Sequence, residues 1–175
     1  METNKGLTLI EILVAMSVIG ILSAAIGFFF EGWASTYRIE SQIKEMYANL
    51  MKARVQAMQV NRVHFVTLSP THYAVFDDTN PASEGNNILE TSADRQILLQ
   101  EFDAHYPIAW SGAADTRITL TARGFSNDKK TICMFSSKDP DYDCIEISAT
   151  RINIGKILKQ PAEGGRCISE NCESR

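Results

Sequence analysis

Hydrophobic and polar residues alternate in three successive patterns along the chain. From Ile12 to Phe30 no charged residue occurs. As a helix rising about 1.5 Å per residue, that run would be about 28 Å long, close to the ~30 Å hydrocarbon core of a bilayer. From Ile39 onward, apolar or small residues recur at Ile43, Met46, Leu50, Ala53, Ala57 and Val60, in alternating steps of four and three. That spacing lays one stripe along a helix, with Arg38, Glu40, Lys44, Glu45, Lys52 and Arg54 on the other face. No proline precedes Pro70. The pattern therefore predicts a straight helix from about Leu7 to Gln59, roughly 80 Å long. Two alanines in the seam suit packing beneath a sheet better than a dimeric coiled coil.

After Asn61 the period drops to two. Val63, Phe65 and Thr67 alternate with His64, Val66 and Leu68; Ser69-Pro70 turns the chain, and Tyr73, Val75 and Asp77 lie on a second strand. Further strands are predicted over 96–102, 117–121, 131–136, 144–148 and 151–157. The last two read as a hairpin over Ala149-Thr150, with Ile145 and Ile147 facing Ile152 and Ile154. Between them and the helix, Asp78 to Asp94 is polar and holds Pro81, Gly85 and Asn86-Asn87. It reads as a loop of about 15 residues, a length that usually has a purpose. Lys159 to Arg175 reads as a polar tail. One long helix followed by antiparallel strands predicts an α+β fold, with the sheet over the second half of the helix.

Composition narrows the function classes. The 175 residues are 45% hydrophobic and 22% charged, which suits one modest domain with an appendage. A net charge of −4 argues against a generic nucleic-acid binder. Four cysteines, Cys133, Cys144, Cys167 and Cys172, all lie beyond the helix, and an even count in an exported domain favours disulfides. Three pairings are open; Cys133–Cys144 across the Lys138–Asp143 turn and Cys167–Cys172 in the tail are the expected ones. Neither pair has the C-x-x-C spacing of a zinc knuckle. His64, His72 and His105 are dispersed and read as surface residues, although His64 and His72 could meet across a hairpin. Asp139, Asp141 and Asp143 alternate as in a calcium loop, but the Gly and the terminal Glu are missing, so a solvated turn is expected. Asp115 and Arg117 form no triad with an identifiable partner. No phosphate loop, nucleophile elbow or metalloprotease motif occurs. The expectation is a protein that is not an enzyme, with no metal and no cofactor.

The N-terminus carries the most specific signal: Lys5-Gly6-Leu7-Thr8-Leu9-Ile10-Glu11, just ahead of the apolar run. A carboxylate at membrane depth is costly unless it finds a partner, so Glu11 marks a functional site. A secretory signal peptide would need a basic leading segment, a shorter apolar core and a small-residue cleavage site. Ser23-Ala24-Ala25 fits such a site loosely, but Glu2 and a single lysine precede the core. The arrangement resembles the prepilin leader of type IV pilins and type II secretion pseudopilins. Ala53-Arg54-Val55-Gln56-Ala57-Met58 with Asn61-Arg62-Val63-His64-Phe65 is similar to the helix end and first strand of the GspH/FimT family of minor pilins and pseudopilins. Ile118-Thr119-Leu120-Thr121-Ala122-Arg123-Gly124-Phe125 resembles that family's mid-domain strand and glycine turn, and Arg151-Ile152-Asn153-Ile154 its later strand. Two departures stand out: Leu7 where Phe is usual, and Thr150 where a Gly usually precedes the Arg.

The resemblance implies a division into a leader at 1–6, a transmembrane and assembly helix at 7–30, its amphipathic continuation at 31–60, and a globular β domain at 61–175 whose C-terminal part holds the disulfides. It implies that a prepilin peptidase cuts between Gly6 and Leu7 and methylates the Leu7 amine. Gly6 lets the backbone enter a tight cleft in extended form. Glu11 and Thr8 then belong to assembly. Glu11 lies one turn from Leu7, and its carboxylate would neutralise the amine of a neighbouring subunit, which relieves two charges in hydrocarbon at once. The alternative is that Glu11 lies at the headgroup boundary or pairs with its own Leu7 amine. Implied partners are other pilins through the N-terminal helix, the peptidase, an inner-membrane assembly platform and a cytoplasmic ATPase. The implied location is the bacterial inner membrane, crossed once with the globular domain periplasmic, and then a periplasmic or extracellular filament. A second reading is a DNA-binding minor pilin for natural transformation, using Arg151, Lys156, Lys159 and Arg166; the near balance of charge in the tail favours the structural reading over nucleic acid.

Overall fold

The computed structural model describes residues 8–81, 85–112 and 114–175, with the side chains of 25–31 outside the description. A single helix, α1 (Leu9–Val60), runs for 52 residues, about 78 Å at ~1.5 Å per residue. It stops at Asn61, which adopts the left-handed conformation at φ 51° and donates its N–H to the Ala57 carbonyl. Asn tolerates that region better than most side chains, which makes it a natural helix end.

Among the described residues nine strands follow in chain order: β1 (His64–Leu68), β2 (His72–Asp77), β3 (Arg95–Glu101), β4 (Ile108–Trp110), β5 (Arg117–Leu120), β6 (Lys130–Met134), β7 (Cys144–Ile147), β8 (Ile152–Ile157) and β9 (Cys172–Ser174). They form two antiparallel sheets rather than the one expected from sequence: β3-β2-β1-β5 and β4-β6-β7-β8-β9. The division has a local cause. After β5 the chain doubles back, with an isolated bridge between Leu120 and Ser126 and the Asn127 N–H on the Thr119 carbonyl. That covers the outer side of β5, so β6 opens a second sheet. Lys130 stitches the two together: its buried ammonium donates to the carbonyls of Asp115 at 2.6 Å and Arg117 at 2.8 Å.

The predicted stripe on α1 forms the spine of the core. Ile39, Ile43, Met46, Leu50, Ala53 and Ala57 are all buried, while Val60, at the helix end, is exposed. Against the stripe pack Val66, Leu68 and Tyr73 from the first sheet and Ile132, Met134 and Ile145 from the second. Polar side chains on either flank of the stripe lock the docking. Asn49 donates to the Tyr73 hydroxyl at 2.8 Å, Gln42 accepts from the Asp103 N–H at 2.9 Å, and Glu40 accepts from the Asp141 N–H at 2.9 Å. The β7–β8 hairpin has the expected register, Ile145 opposite Ile154 and Ile147 opposite Ile152.

The described residues of the 78–94 segment form a structural cover. The buried Asp78 carboxylate accepts from the N–H groups of Asn86 and Asn87, and the Asp94 carboxylate from those of Thr79 and Glu90. Leu89 is thereby laid on Phe65, Ala74 and Phe76, the outer face of the first sheet.

The C-terminal stretch is not a loose tail. It folds through turns at Pro161–Glu163 and Ser169–Asn171 into β9, which pairs with β8. The disulfides are Cys133–Cys167 and Cys144–Cys172, which corrects the expected pairing. Cys133 and Cys144 face each other across β6 and β7 and lie on one side of the sheet. Each bonds upward to the C-terminal stretch, not sideways to the other. The Cα atoms of Cys144 and Cys172 are 6.0 Å apart although β8 lies between their strands. Two strand spacings in a flat sheet would be about 9.6 Å, so β9 folds over β8. Gly155 permits this, because a Cβ there would collide with the Glu173 carbonyl.

Candidate functional site

The N-terminal end is described from Thr8; Gly6 and Leu7, the expected cleavage and methylation positions, lie outside the described residues. Thr8 is the N-cap of α1. Its backbone is extended, at φ −79° and ψ 152°, and its hydroxyl oxygen accepts the Glu11 N–H at 3.3 Å. The Thr8 carbonyl accepts from the N–H groups of Glu11 and Ile12. Thr-x-x-Glu is the order of a capping box, and an acidic side chain in the first turn opposes the positive end of the helix dipole. Resemblance singles out Thr8 in the sequence, and the capping signature in the same four residues gives it a physical role as well. The Glu11 side chain makes no hydrogen bond or ion pair among the described residues.

Around Glu11, as far as Ala24, the helix is otherwise apolar or small on nearly every side. Leu9, Ile10, Ile12, Leu13, Val14, Met16, Val18, Ile19, Ile21 and Leu22 are all exposed. Ser17 turns its hydroxyl inward, onto the Leu13 carbonyl at 2.8 Å. Among the described side chains, nothing in the domain covers residues 9–24 of α1. Among the described residues no helix is long and apolar enough to cross a membrane; the uncharged Ile12–Phe30 run lies partly outside them.

The four basic residues considered for nucleic acid do not form one patch. Arg151 lies at the turn before β8. Lys156, toward the other end of that strand, pairs with Asp139 at 2.7 Å. Lys159 and Arg166 do come together, lining a hollow of about 400 Å³ with Leu158 and Ile168. The Asn171 amide holds both of their carbonyls, at 2.8 and 2.9 Å. Arg151 has a different neighbour: Arg54 of α1 donates to the adjoining Thr150 carbonyl at 2.9 Å.

Three buried ionisable groups, His64, Asp77 and Asp143, are not recognisable as such from residue type alone. His64, expected at the surface, is only 2% exposed, and its Nδ1 lies 3.9 Å from the Asp77 carboxylate without a hydrogen bond. Burial pushes the His64 imidazole below its ordinary pKa. His64 and His72 do not meet, since His64 pairs with Asp77 and His72 with Glu101. Asp77 accepts two bonds from Arg62, at 3.0 and 2.6 Å, and one from Arg95 at 2.6 Å. Burial alone would raise its pKa; the two guanidinium groups outweigh that and hold it below the ordinary carboxylate value. The acidic turn is likewise not all solvated. Asp143 is buried, accepts from the Ile157 N–H at 2.6 Å, and is pushed by burial up to about 6. Asp139, Asp141 and Asp143 serve separate partners, and no cluster suited to a metal ion occurs among the described residues.

The comparisons with known proteins agree with this architecture. The model of the prokaryotic N-terminal methylation motif matches residues 1–27. No curated protein sequence matches the chain. Among solved structures, the type IV minor pilin FimU of Pseudomonas aeruginosa is similar at 16% identity and a TM-score of 0.54, over 75% of this chain and 98% of its own. The minor pseudopilin EpsH from the type 2 secretion system of Vibrio cholerae is similar at 10% identity and a TM-score of 0.50, over 72% of this chain and 99% of its own. At such identities the likeness is one of fold. The class is therefore an α+β protein with the fold of pilins and pseudopilins. The chain thus combines a prokaryotic N-terminal methylation motif over residues 1–27 with a fold like that of a minor pilin and a minor pseudopilin.

Proposed function

We propose that the chain is a structural subunit, a minor pilin or pseudopilin, of a type IV pilus or type II secretion pseudopilus, acting in filament assembly or tip initiation. One observation supports this most: α1 is covered by two sheets along its second half, yet its described apolar residues from Leu9 to Leu22 are exposed. Such a surface needs lipid before assembly and neighbouring helices after it. The prepilin peptidase removes residues 1–6 and methylates Leu7, and the helix anchors the protein in the inner membrane with the domain outside. Glu11 then meets the Leu7 amine of an adjacent subunit, while the Thr8 cap fixes where the helix begins. A net charge of −4 and the scatter of Arg151, Lys156, Lys159 and Arg166 favour this reading over DNA binding. Its test is incorporation of Glu11→Ala and Glu11→Asp variants into sheared filaments. The Ala variant is expected to stay in the membrane fraction and the Asp variant to assemble at least in part. Normal incorporation of the Ala variant would overturn the proposed role of the carboxylate.

A further inference from the structure

The geometry points to a lipid-headgroup anchor at the middle of α1: Trp33 and Tyr37 seat the helix at the outer boundary of the bilayer. This rests on the membrane-inserted reading above. The two rings are one turn apart and stacked, with centroids 5.8 Å apart and planes 20° from parallel. They are 65% and 61% exposed, although the buried core begins only two residues past Tyr37, at Ile39. Trp and Tyr pair an apolar ring with a polar edge, which suits them to the level where acyl chains meet headgroups.

Distance along the helix places them there. Glu11 to Trp33 is a rise of about 33 Å at ~1.5 Å per residue, against ~30 Å of hydrocarbon. With the uncharged Ile12–Phe30 run of about 28 Å in the hydrocarbon, the indole lies just past its outer end, and Tyr37 about 6 Å further out. The polar side chains between the rings are already satisfied within the helix: the hydroxyls of Ser35 and Thr36 donate to the Gly32 carbonyl at 2.9 and 3.2 Å. Arg38 follows directly, two-thirds exposed in its side chain and 3.7 Å from Asp103 of the domain. A guanidinium at that depth also reaches lipid phosphate. The uncharged Ile12–Phe30 run, Glu31 at its end, the aromatic pair and the cation thus come in the order in which a bilayer changes from hydrocarbon to headgroup to water.

Tryptophan depth in a bilayer tests the assignment. The chain has two tryptophans, Trp33 and Trp110. The full chain is reconstituted in vesicles of phosphatidylethanolamine and phosphatidylglycerol, and vesicle flotation first establishes insertion. Trp110→Phe isolates the Trp33 emission. Should that core substitution disturb the domain, the difference between the unmodified chain and Trp33→Phe yields the same signal. Lipids brominated near the glycerol end of the acyl chain are expected to quench Trp33 more than lipids brominated near the methyl end, with aqueous iodide quenching it weakly. Strongest quenching by methyl-end bromines, or full iodide access in floated vesicles, would overturn the anchor while leaving insertion intact. Emission that ignores lipid bromination but shifts with protein-to-lipid ratio would also overturn it, by showing another subunit as the cover. A chain that fails to float removes the membrane reading and the anchor together.

Discussion

Removing the Cys144–Cys172 bridge should cost the domain more stability than its three-residue strand would imply. The bridge closes a loop with a sequence separation of 28, and Cys133–Cys167 one of 34. In the chain-entropy model these contribute about 3.6 and about 3.8 kcal/mol by limiting the unfolded chain. The same model gives the rejected Cys167–Cys172 bridge much less, because its loop is far shorter. Both cysteines of the Cys144–Cys172 pair are buried, so the loss also opens a gap between β7, β8 and β9. The perturbation is Cys144→Ala with Cys172→Ala in a domain beginning at Ala34, followed by urea unfolding. A loss of roughly 3–4 kcal/mol is expected, seen as a lower midpoint with little change in slope. Trypsin then checks the pairing on the unmodified, unreduced domain. Cleavage after Lys130, Lys138, Arg151 and Arg166 places Cys133 and Cys144 on separate peptides and both tail cysteines on a third. The observed pairing leaves all three peptides linked, and a further cut after Glu170 resolves them into two pairs. A linked pair of the first two peptides beside a self-closed tail peptide would refute the assignment. A cost under about 1 kcal/mol would refute the ordering of β9 on which the magnitude rests.

Two pH predictions have opposite signs. Asp77→Ala leaves the largely buried Arg62 guanidinium without its counter-charge and should cost about 3–5 kcal/mol by chemical denaturation. Because the folded Asp77 pKa lies below its ordinary 3.8, its contribution is complete above that value and is lost as pH falls through the depressed folded value. Asp143 works the other way. Its folded pKa of about 6 exceeds the ordinary 3.8, so the folded state takes up the proton first and this group's contribution rises as pH falls from about 6 toward 4. Asp143→Asn keeps an acceptor for the Ile157 N–H and should flatten that window, gaining on the order of 2 kcal/mol at pH 7. An unchanged pH–stability curve in the variant would refute the buried, proton-binding carboxylate.

Periodicity made the helix and its buried face legible, because the stripe from Ile39 to Ala57 meets both sheets at once and leaves no other solution. The β7–β8 hairpin was legible for the same reason, with two isoleucines on each strand fixing the register. Strands β4 and β9 were not, since three residues are too few to show a period. The twofold division of the sheet depends on Lys130 and the 121–128 turn, and a lysine beside strand residues reads as a surface group until its carbonyl partners are known. His64 is more instructive. The alternation that put Val66 and Leu68 inward puts His64 on the same side, so its burial was readable from the pattern; treating histidine as a surface type overrode it. The disulfide pairing was not readable, because neighbouring cysteines on adjacent strands point the same way and the third dimension chooses their partners. At the candidate site, the Lys-Gly-Leu-Thr-x-x-Glu order was in the sequence. Its missed content was the capping geometry of Thr8.

The most direct measurement is the intact mass and N-terminal sequence of the mature protein recovered from cell envelopes and sheared filaments. The expected product begins at Leu7, lacks residues 1–6 and carries a methyl group on its first amine. A protein that retains Met1, or one cut near Ala25 and released from its apolar helix, would contradict a filament subunit of this kind.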